Sequence, residues 1–565
     1  MSDRTVFPIE VDPGTQPAPA EFPRPAASGS RSSEDWLHNH LNAVAAAVTV
    51  AGLALRIWVA GRTYLNPDEA LHYLIINQPS LWLAYKASLT NAHPPLIYFV
   101  VYAWRYLGRS ELMLRMPSVL AGTAFCWLTY KWMRIAAGEA ASLIAVIFLA
   151  FSPATVSLSA ELRAYGLVLG CVGGALYFLA QAFDKESVRQ MWLFSAPLYL
   201  AILSHYSVVF FVLAAGLYAL ARIADSQLPR KVVVAWGVGQ AGALALYGFL
   251  YIIHVSKLKN SVAVWSVPFT TAYFHPTDGD VFSFTKINTV NIFLFLFAQR
   301  FVAFALLLSF VAGVVFVFGK EIVQGRRNSR SNHLGILLLF PFVAVWGASL
   351  VGIYPYVGSR HTVFLAPFAI AGASYLLAVV SRQKLWVGAT IAAILMAFSL
   401  TANESMESNL SKRSDSPQVM AAAVNYMKET IPRGEHILVD FQSSLPLMYY
   451  FCGPRRIVPF ETFGGEYFDF TCSGNPIVSL HTWKAGAVGF PLQFQKMALA
   501  RGFKPGDRVW FYQTGWGDTL DTQLDKRDPM FQCLNPRNFG HGVTVIPFVV
   551  GRDYHPATVL QGCSR

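Results

Sequence analysis

Charged residues are scarce in this chain. Asp, Glu, Lys and Arg make up 13% of its 565 residues, and 54% of the residues are hydrophobic. A typical soluble domain has about 25% charged residues. Residues 140–160 contain no charge, and a helix needs about 20 apolar residues to cross a bilayer. The composition therefore excludes a soluble globular protein and predicts a polytopic membrane protein.

Acidic residues are scarcer than basic ones. The chain has 44 Lys and Arg against 32 Asp and Glu, and its formal net charge is +12. We expect no nucleic-acid partner, because the basic residues cluster in short loops between apolar stretches, as cytoplasmic membrane loops do. The clusters lie at 131–134, 185–189, 222–231, 320–330 and 382–384. The N-terminus is then cytoplasmic too.

Several common sequence features are missing. The six cysteines show no zinc-site spacing, and no internal repeat is present. No apolar core follows Arg4, so we expect no cleavable signal peptide. Residues 1–40 are polar and rich in Pro, Ala and Ser, and we predict that they form a disordered cytoplasmic tail.

Eleven segments are predicted to cross the membrane. Residues 190–221 carry no Asp, Glu, Lys or Arg, and one helix of that length would measure about 48 Å against a hydrocarbon core of about 30 Å. We therefore predict a hairpin with its tip at 204–206. Residues 93–107 are short for a crossing and contain Arg105, which favours a helix on the membrane surface. The other predicted spans are 41–60, 117–132, 140–160, 164–183, 232–253, one ending near 319, 334–354, 362–380 and 385–402.

The composition becomes soluble from residue 403 onward. Ser416-Pro417 is a typical helix start, and β-rich runs follow at 436–441, 508–512 and 543–550. The predicted fold class is an all-α polytopic membrane protein of about 11 transmembrane helices over 41–402, followed by an extracytoplasmic α/β domain over 403–565.

Four of the six cysteines lie in this C-terminal part. Outside the cytoplasm they would form two disulfides in any one of three connectivities. These residues are Cys452, Cys472, Cys533 and Cys563. Cys126 and Cys171 lie in predicted spans, and we expect them to be inert core residues.

The first outer segment, residues 61–116, contains an acidic pair in the run Asn66-Pro67-Asp68-Glu69. Asn before Pro, with Glu three positions later, is typical of a capped helix start. A carboxylate held rigidly there is also suited to act as a general base. The two interpretations are compatible.

Basic and imidazole groups are predicted at or near the outer ends of the spans. Each alone is explained by the membrane interface, and Arg163 by pairing with Glu161. Arg56 is expected to reach the interface in the same way. Together these groups suit a phosphate, which Arg binds bidentately. The set comprises Arg115, Arg163, His205, Arg300, Arg360 and His361.

The order of motifs resembles that of a known family. Asp68-Glu69 in the first outer loop is followed by His93-Pro94-Pro95-Leu96, Leu114-Arg115-Met116-Pro117-Ser118 and Glu161-Leu162-Arg163-Ala164-Tyr165. This resembles the GT-C glycosyltransferases of the protein-mannosyltransferase and lipid A aminoarabinose-transferase type, most closely their bacterial relatives with RgtA/B/C/D-like domains. The resemblance covers about residues 40–400.

The resemblance implies a reaction and its participants. Such enzymes move a sugar from a polyprenyl monophosphate to an acceptor glycan, lipid or protein at the outer face of the cytoplasmic membrane, usually with inversion. Asp68 would be the base with Glu69 beside it, and Arg115 or Arg163 would bind the lipid phosphate. His93 would shape the site, and the Ser359-Arg360-His361 turn matches a later loop more loosely. Glu161, Tyr165 and His205 complete the expected substrate-binding set.

A metal and two other functions are left open by the sequence. Some GT-C enzymes use a divalent ion such as Mg²⁺ or Mn²⁺, but one Asp-Glu pair does not argue for a tight site. A transporter or lipid flippase would carry charges in mid-span, which the predicted spans lack. A membrane scaffold would leave the outer-face charges unexplained.

Overall fold

Helices form most of the described chain up to residue 401. The computed structural model describes residues 28–225, 228–258, 272–326, 333–401, 416–453, 467–481, 497–498, 500–516, 531–540 and 542–550. The helices of the membrane part are α1 (Ser28–Arg62), α2 (Pro67–Ile76), α3 (Leu81–Ser88), α4 (Leu96–Trp104), α5 (Glu111–Ala136), α6 (Glu139–Phe151), α7 (Pro153–Ser159), α8 (Tyr165–Asp184), α9 (Val188–Ile202), α10 (Val208–Asp225), α11 (Arg230–Leu250), α12 (Val281–Phe297), α13 (Arg300–Arg326), α14 (Leu334–Leu350), α15 (Ala366–Val380) and α16 (Leu385–Thr401).

By length and hydropathy, seven helices in the described part of the chain can cross a membrane, or eight if the bent pair α6–α7 is one crossing. Helices α12, α14 and α16 are apolar but shorter. The chain is thus a multi-pass membrane protein. The charge-free stretch 190–221 is divided into α9 and α10, with the break where the hairpin tip was predicted. Helix α10 is long and apolar enough to cross a membrane. Helix α4 has only nine residues, too few to span.

Three boundaries differ from the predictions. Helix α1 begins at Ser28, inside the segment predicted to be a tail. Helix α5 begins at Glu111 because Ser110 caps it by accepting from Met113 N. The segment ending near 319 is two helices, since Ala298 has a left-handed backbone with φ of 58° that breaks the run between α12 and α13.

The single span predicted at 140–160 is bent by 56° between α6 and α7. Pro153 begins α7 and cannot donate a backbone hydrogen bond into α6. Arg56 is fully buried beside this bend. It donates to the carbonyls of Leu149 at 3.0 Å and Ala150 at 3.1 Å, so it caps the end of α6. The expectation that it reaches the membrane surface is wrong.

The described residues of the C-terminal part form a mixed sheet that packs with helices α17 (Pro417–Thr430) and α18 (Phe441–Tyr450). Its strands are β1 (His436–Asp440), β2 (Tyr467–Cys472), β3 (Asn475–Leu480), β4 (Arg508–Gln513), β5 (Phe531–Cys533), β6 (Arg537–Gly540) and β7 (Val543–Val550). The order is β2-β3-β1-β4-β7-β5, and β6 pairs with β7. Strand β1 runs parallel to β3 and β4, and the other pairs are antiparallel.

This sheet domain docks on the first outer segment. The Tyr450 hydroxyl accepts from Leu65 N at 2.8 Å, and Trp516 Nε1 donates to the Tyr64 hydroxyl at 3.1 Å. The domain and the segment that carries Asp68 therefore lie on one side of the membrane.

One disulfide is described in the domain, between Cys452 and Cys472. This pairing occurs in one of the three predicted connectivities. Cys563 and the side chain of Cys533 lie outside the described part of the chain.

Candidate active site

The acidic pair lies at the start of α2, where the predicted capping box is present. The Asn66 side chain accepts from Glu69 N at 3.0 Å, and Glu69 Oε2 accepts from Asn66 N at 3.1 Å. Pro67 occupies the first helical turn. These local bonds fix the backbone on both sides of Asp68, so its carboxylate projects from a rigid helix start.

Glu69 faces inward and binds Arg115. Both side chains are excluded from solvent. Arg115 Nε and Nη2 donate to the two carboxylate oxygens of Glu69 at 2.7 and 2.6 Å. The remaining guanidinium hydrogens bond the backbone carbonyls of Ala60, Thr63 and Tyr64. Each of the five N–H donors of Arg115 is therefore used.

This pair differs from the predicted roles of both residues. Arg115 has no N–H left for a lipid phosphate, and it is fully buried. Glu69 Oε1 also accepts from Leu162 N at 2.7 Å, so its carboxylate is saturated. The two residues therefore join α2 to α5 and to the turn after α7.

Asp68 binds two other arginines. Arg163 Nη1 lies 2.7 Å and Arg360 Nη1 lies 3.0 Å from Asp68 Oδ2. The Asp68 side chain is 42% exposed and that of Arg360 is 36% exposed, whereas Arg163 is only 5% exposed. Three segments far apart in sequence thus meet at one carboxylate oxygen. The two guanidinium groups and one carboxylate leave an excess positive charge, which suits an anion.

The two arginines also control the basicity of Asp68. Burial acts to raise the pKa of its carboxyl, but Arg163 and Arg360 hold that pKa well below its usual range. Asp68 is therefore ionised at neutral pH.

Imidazole rings line the same site. The ring centroid of His93 lies 5.2 Å from that of His205 and 5.7 Å from that of His72. Burial lowers the pKa of His72 to about 4 and that of His205 to about 4, and Arg163 acts in the same direction on both. Burial and the neighbouring His205 hold the pKa of His93 well below its usual value. These rings are neutral at pH 7, so the arginines carry the positive charge.

The turn after α7 brings Arg163 and Tyr165 to the site. The Arg163 guanidinium carbon lies 5.0 Å from the centre of the Tyr165 ring, and Ser118 Oγ donates to the Arg163 carbonyl at 2.8 Å. A Cβ at position 166 would lie 2.5 Å from the Ser118 carbonyl oxygen, so only Gly166 permits this approach of α8 to α5. Glu161 is buried in the same turn.

The loop before α15 supplies Arg360 and His361. Ser359 caps the 3₁₀ turn that begins at Arg360, accepting from His361 N at 3.3 Å. A Cβ at Gly358 would lie 1.9 Å from the Asn291 carbonyl oxygen, so the loop presses directly on α12. After burial and other neighbouring basic groups, His361 also acts to lower the pKa of His93.

Arg300, the remaining member of the predicted outer-face set, is exposed at the start of α13. The ion pairs of Asp68 come from Arg163 and Arg360. Arg300 is therefore not assigned a part in the site.

Sequence reasoning missed His72. Its Nδ1 lies 2.7 Å from the Asp68 carbonyl oxygen, and its ring stacks on Tyr98 with centroids 5.2 Å apart. Because a carbonyl only accepts, Nδ1 carries the hydrogen. The four-residue spacing from Asp68 to His72 was the available signal, since it places both on one side of α2.

A divalent ion held by protein side chains alone would need several carboxylate, imidazole or thiolate groups at one place. No group of three or more His, Cys, Asp or Glu among the described side chains has the geometry to hold one. Asp68 is bound to two arginines and Glu69 to Arg115.

A family model and several solved structures match this chain. Residues 92–254 match the family model described as dolichyl-phosphate-mannose-protein mannosyltransferase. A search of curated protein sequences finds no match.

Among solved structures, ArnT from Cupriavidus metallidurans in the apo state matches with a TM-score of 0.50 and 13% identity, over 91% of this chain and 98% of that chain. ArnT bound to undecaprenyl phosphate matches with a TM-score of 0.49 and 14% identity, again over 91% of this chain and 98% of the ArnT chain. The oligosaccharyltransferase AglB from Archaeoglobus fulgidus, in complex with an inhibitory peptide and a dolichol-phosphate, matches with a TM-score of 0.48 and 13% identity. That match covers 87% of this chain and 71% of the AglB chain. The resemblance to GT-C glycosyltransferases is confirmed, and so is the predicted fold class of a helical multi-pass membrane part followed by a small sheet domain.

Proposed function

We propose that this chain is a membrane glycosyltransferase that uses a polyprenyl-monophosphate-linked sugar as donor. The acceptor is a glycan, lipid or protein at the outer face of the cytoplasmic membrane, and the anomeric configuration is inverted. The observation that carries the proposal is the convergence of Arg163 and Arg360 on the exposed carboxylate of Asp68. Dolichyl-phosphate-mannose, which appears in the description of the matching family model, is a donor of this class.

The arginines would bind the donor phosphate. Arg360 is about one-third exposed and reaches Asp68 from a separate loop, so it is the group free to turn towards an incoming anion. Bidentate, charge-assisted bonds from Arg to phosphate are among the strong hydrogen bonds in proteins. The phosphate would thus replace Asp68 as a partner of the guanidinium groups.

Asp68 would then act as the base. Once the arginines turn to the phosphate, the pKa of Asp68 rises towards its ordinary value and the carboxylate accepts a proton more readily. The acceptor hydroxyl forms its bond to the anomeric carbon while the bond from that carbon to the phosphate oxygen breaks. The electron pair leaves with the phosphate, and the hydroxyl proton passes to Asp68.

The neutral imidazole rings are suited to contact the sugar of the donor. His93 and His205 present flat, half-apolar rings beside Tyr165. Such surfaces exclude water and strengthen the electrostatic interactions around the phosphate.

The experiment is to incubate purified full-length protein with a panel of polyprenyl-phosphate sugars and measure release of sugar-free polyprenyl phosphate. We expect release that depends on an added acceptor. A transporter or flippase would leave every donor chemically intact, and that result would overturn the proposal.

A further inference from the structure

Helix α11 contributes none of the site residues described above, yet it ends in a π-helical turn, Tyr251–Val255. Such turns insert one extra residue and often mark functional positions. The turn brings His254 inward, where it is 1% exposed. A buried polar ring in an apolar helix needs hydrogen-bond partners, and His254 has two.

His254 bridges two loops. Its Nε2 lies 2.8 Å from the carbonyl oxygen of Asn91, and its Nδ1 lies 2.6 Å from the hydroxyl of Tyr206. A carbonyl only accepts, so the neutral ring carries its hydrogen on Nε2 and accepts the Tyr206 hydroxyl hydrogen at Nδ1. Asn91 lies two residues before His93, and Tyr206 directly follows His205.

We propose that His254 is a positioning residue that holds the His93 loop and the His205 loop in register. A second bond joins the same segments, from Leu96 N to the Leu203 carbonyl at 3.1 Å. One bond leaves the two loops free to rotate about it, whereas two fix their orientation. His254 therefore sets the 5.2 Å separation of the His93 and His205 rings.

The effect reaches the arginines through ring contacts. The centroid of the His205 ring lies 5.5 Å from that of Tyr165, and the Arg163 guanidinium carbon lies 5.0 Å from the Tyr165 centroid. A displaced His205 would let Tyr165 move and would shift Arg163 relative to Asp68. The role rests on the proposed glycosyl transfer, because it concerns the alignment of that site.

The test compares His254→Leu, His254→Gln, Tyr206→Phe and the combined His254→Leu/Tyr206→Phe protein. Misplacement by about 1 Å costs up to about a hundredfold in rate, so we expect kcat of His254→Leu to fall about ten- to hundredfold. The donor KM should change less, since Arg163 and Arg360 keep their N–H groups. Gln should retain more activity than Leu, because its amide can donate to the Asn91 carbonyl.

The rate of the combined variant distinguishes a positioning role of His254 from a general loss of structure. The combined variant should be no slower than His254→Leu alone, because both changes remove one bridge. His40→Leu, on the exposed face of α1, is the matched control and should leave kcat unchanged. If His254→Leu does not yield folded protein, His254→Gln and Tyr206→Phe decide the question.

Two failures are separable. Wild-type protein that transfers no sugar would overturn the proposed function. Active wild-type protein together with an unchanged kcat in His254→Leu or Tyr206→Phe, or with multiplicative losses in the combined variant, would overturn the positioning role alone.

Discussion

The Glu69 carboxylate and the Arg115 guanidinium form a salt bridge hidden from solvent, with Arg115 Nη2 2.6 Å from Glu69 Oε2. Asp68, whose side chain is partly exposed, comes one residue before Glu69 in α2. The neighbouring carboxylates thus have different partners. Glu69 holds the segments together, whereas Asp68 pairs with Arg163 and Arg360 and is partly exposed.

Removing one partner of the buried pair should destabilise the protein. Glu69→Gln leaves the Arg115 charge without a counter-ion, and breaking a buried pair in this way costs about 3–5 kcal/mol. We expect a large fall in the thermal unfolding midpoint in detergent. Glu139→Gln is the control, because the Arg134–Glu139 pair is about one-third exposed and such pairs contribute about 0–1 kcal/mol. Equal midpoints for the two variants would contradict the structural role.

Asp68→Asn should abolish glycosyl transfer while the protein still folds and inserts. The amide cannot take the acceptor proton, but it preserves the shape of the α2 start. The measurements are the transfer rate and the elution profile in detergent. Asp184→Asn, at the exposed end of α8, should retain the wild-type rate. Full activity of Asp68→Asn would remove the base assignment.

Arg360→Ala should weaken donor binding more than it impairs folding. A hydrogen bond to a charged group contributes about 1.5–3 kcal/mol, equivalent to about a ten- to hundredfold rise in the donor KM. Arg163→Ala should cost at least as much, because Arg163 is the more buried arginine. Arg189→Ala, at an exposed position, is the control and should leave the donor KM unchanged. Binding of sugar-free polyprenyl phosphate should weaken in the same two variants and not in the control. An unchanged affinity for polyprenyl phosphate in Arg360→Ala would refute the phosphate contact.

The stability of the protein should fall as pH falls from about 6.5 towards 4. The pKa values of buried His72 and His205 are lowered to about 4, so between these pH values the unfolded chain binds protons that the folded chain does not. Each histidine then costs up to about 1.4 kcal/mol per pH unit. The measurement is the unfolding midpoint against pH. His72→Phe should flatten the slope and His40→Gln should not, and an unchanged slope in His72→Phe would contradict this account.

The C-terminal domain should be labelled from the same side as the first outer segment. Tyr450 and Trp516 bond to Leu65 and Tyr64, so the two parts cannot be separated by a membrane. Single cysteines are placed at exposed Lys86 in α3 and at exposed Lys504 in the domain, with the unsubstituted protein as the background control. We expect an impermeant thiol reagent to reach both from outside intact cells, and labelling of only one would contradict the docking.

Local spacing was sufficient for several features. The run from Asn66 to Glu69 specified a capped helix start, because capping depends on residues three apart. The charge-free stretch at 190–221 was too long for one crossing, and it is divided into the two helices α9 and α10. The bend at Pro153 and the break at Ala298 were missed, since apolar composition alone does not report backbone geometry.

The sequence by itself determined the membrane class, the acidic pair and the resemblance carried by its motifs, because these depend on composition and short spacing. Only the tertiary structure decided which arginine serves which carboxylate. Arg115 lies 46 residues from Glu69, and Arg163 lies 95 residues from Asp68. Such partners are chosen by how helices pack. Packing placed Arg115 in the interior with Glu69 and brought Arg163 and Arg360 to the partly exposed carboxylate of Asp68.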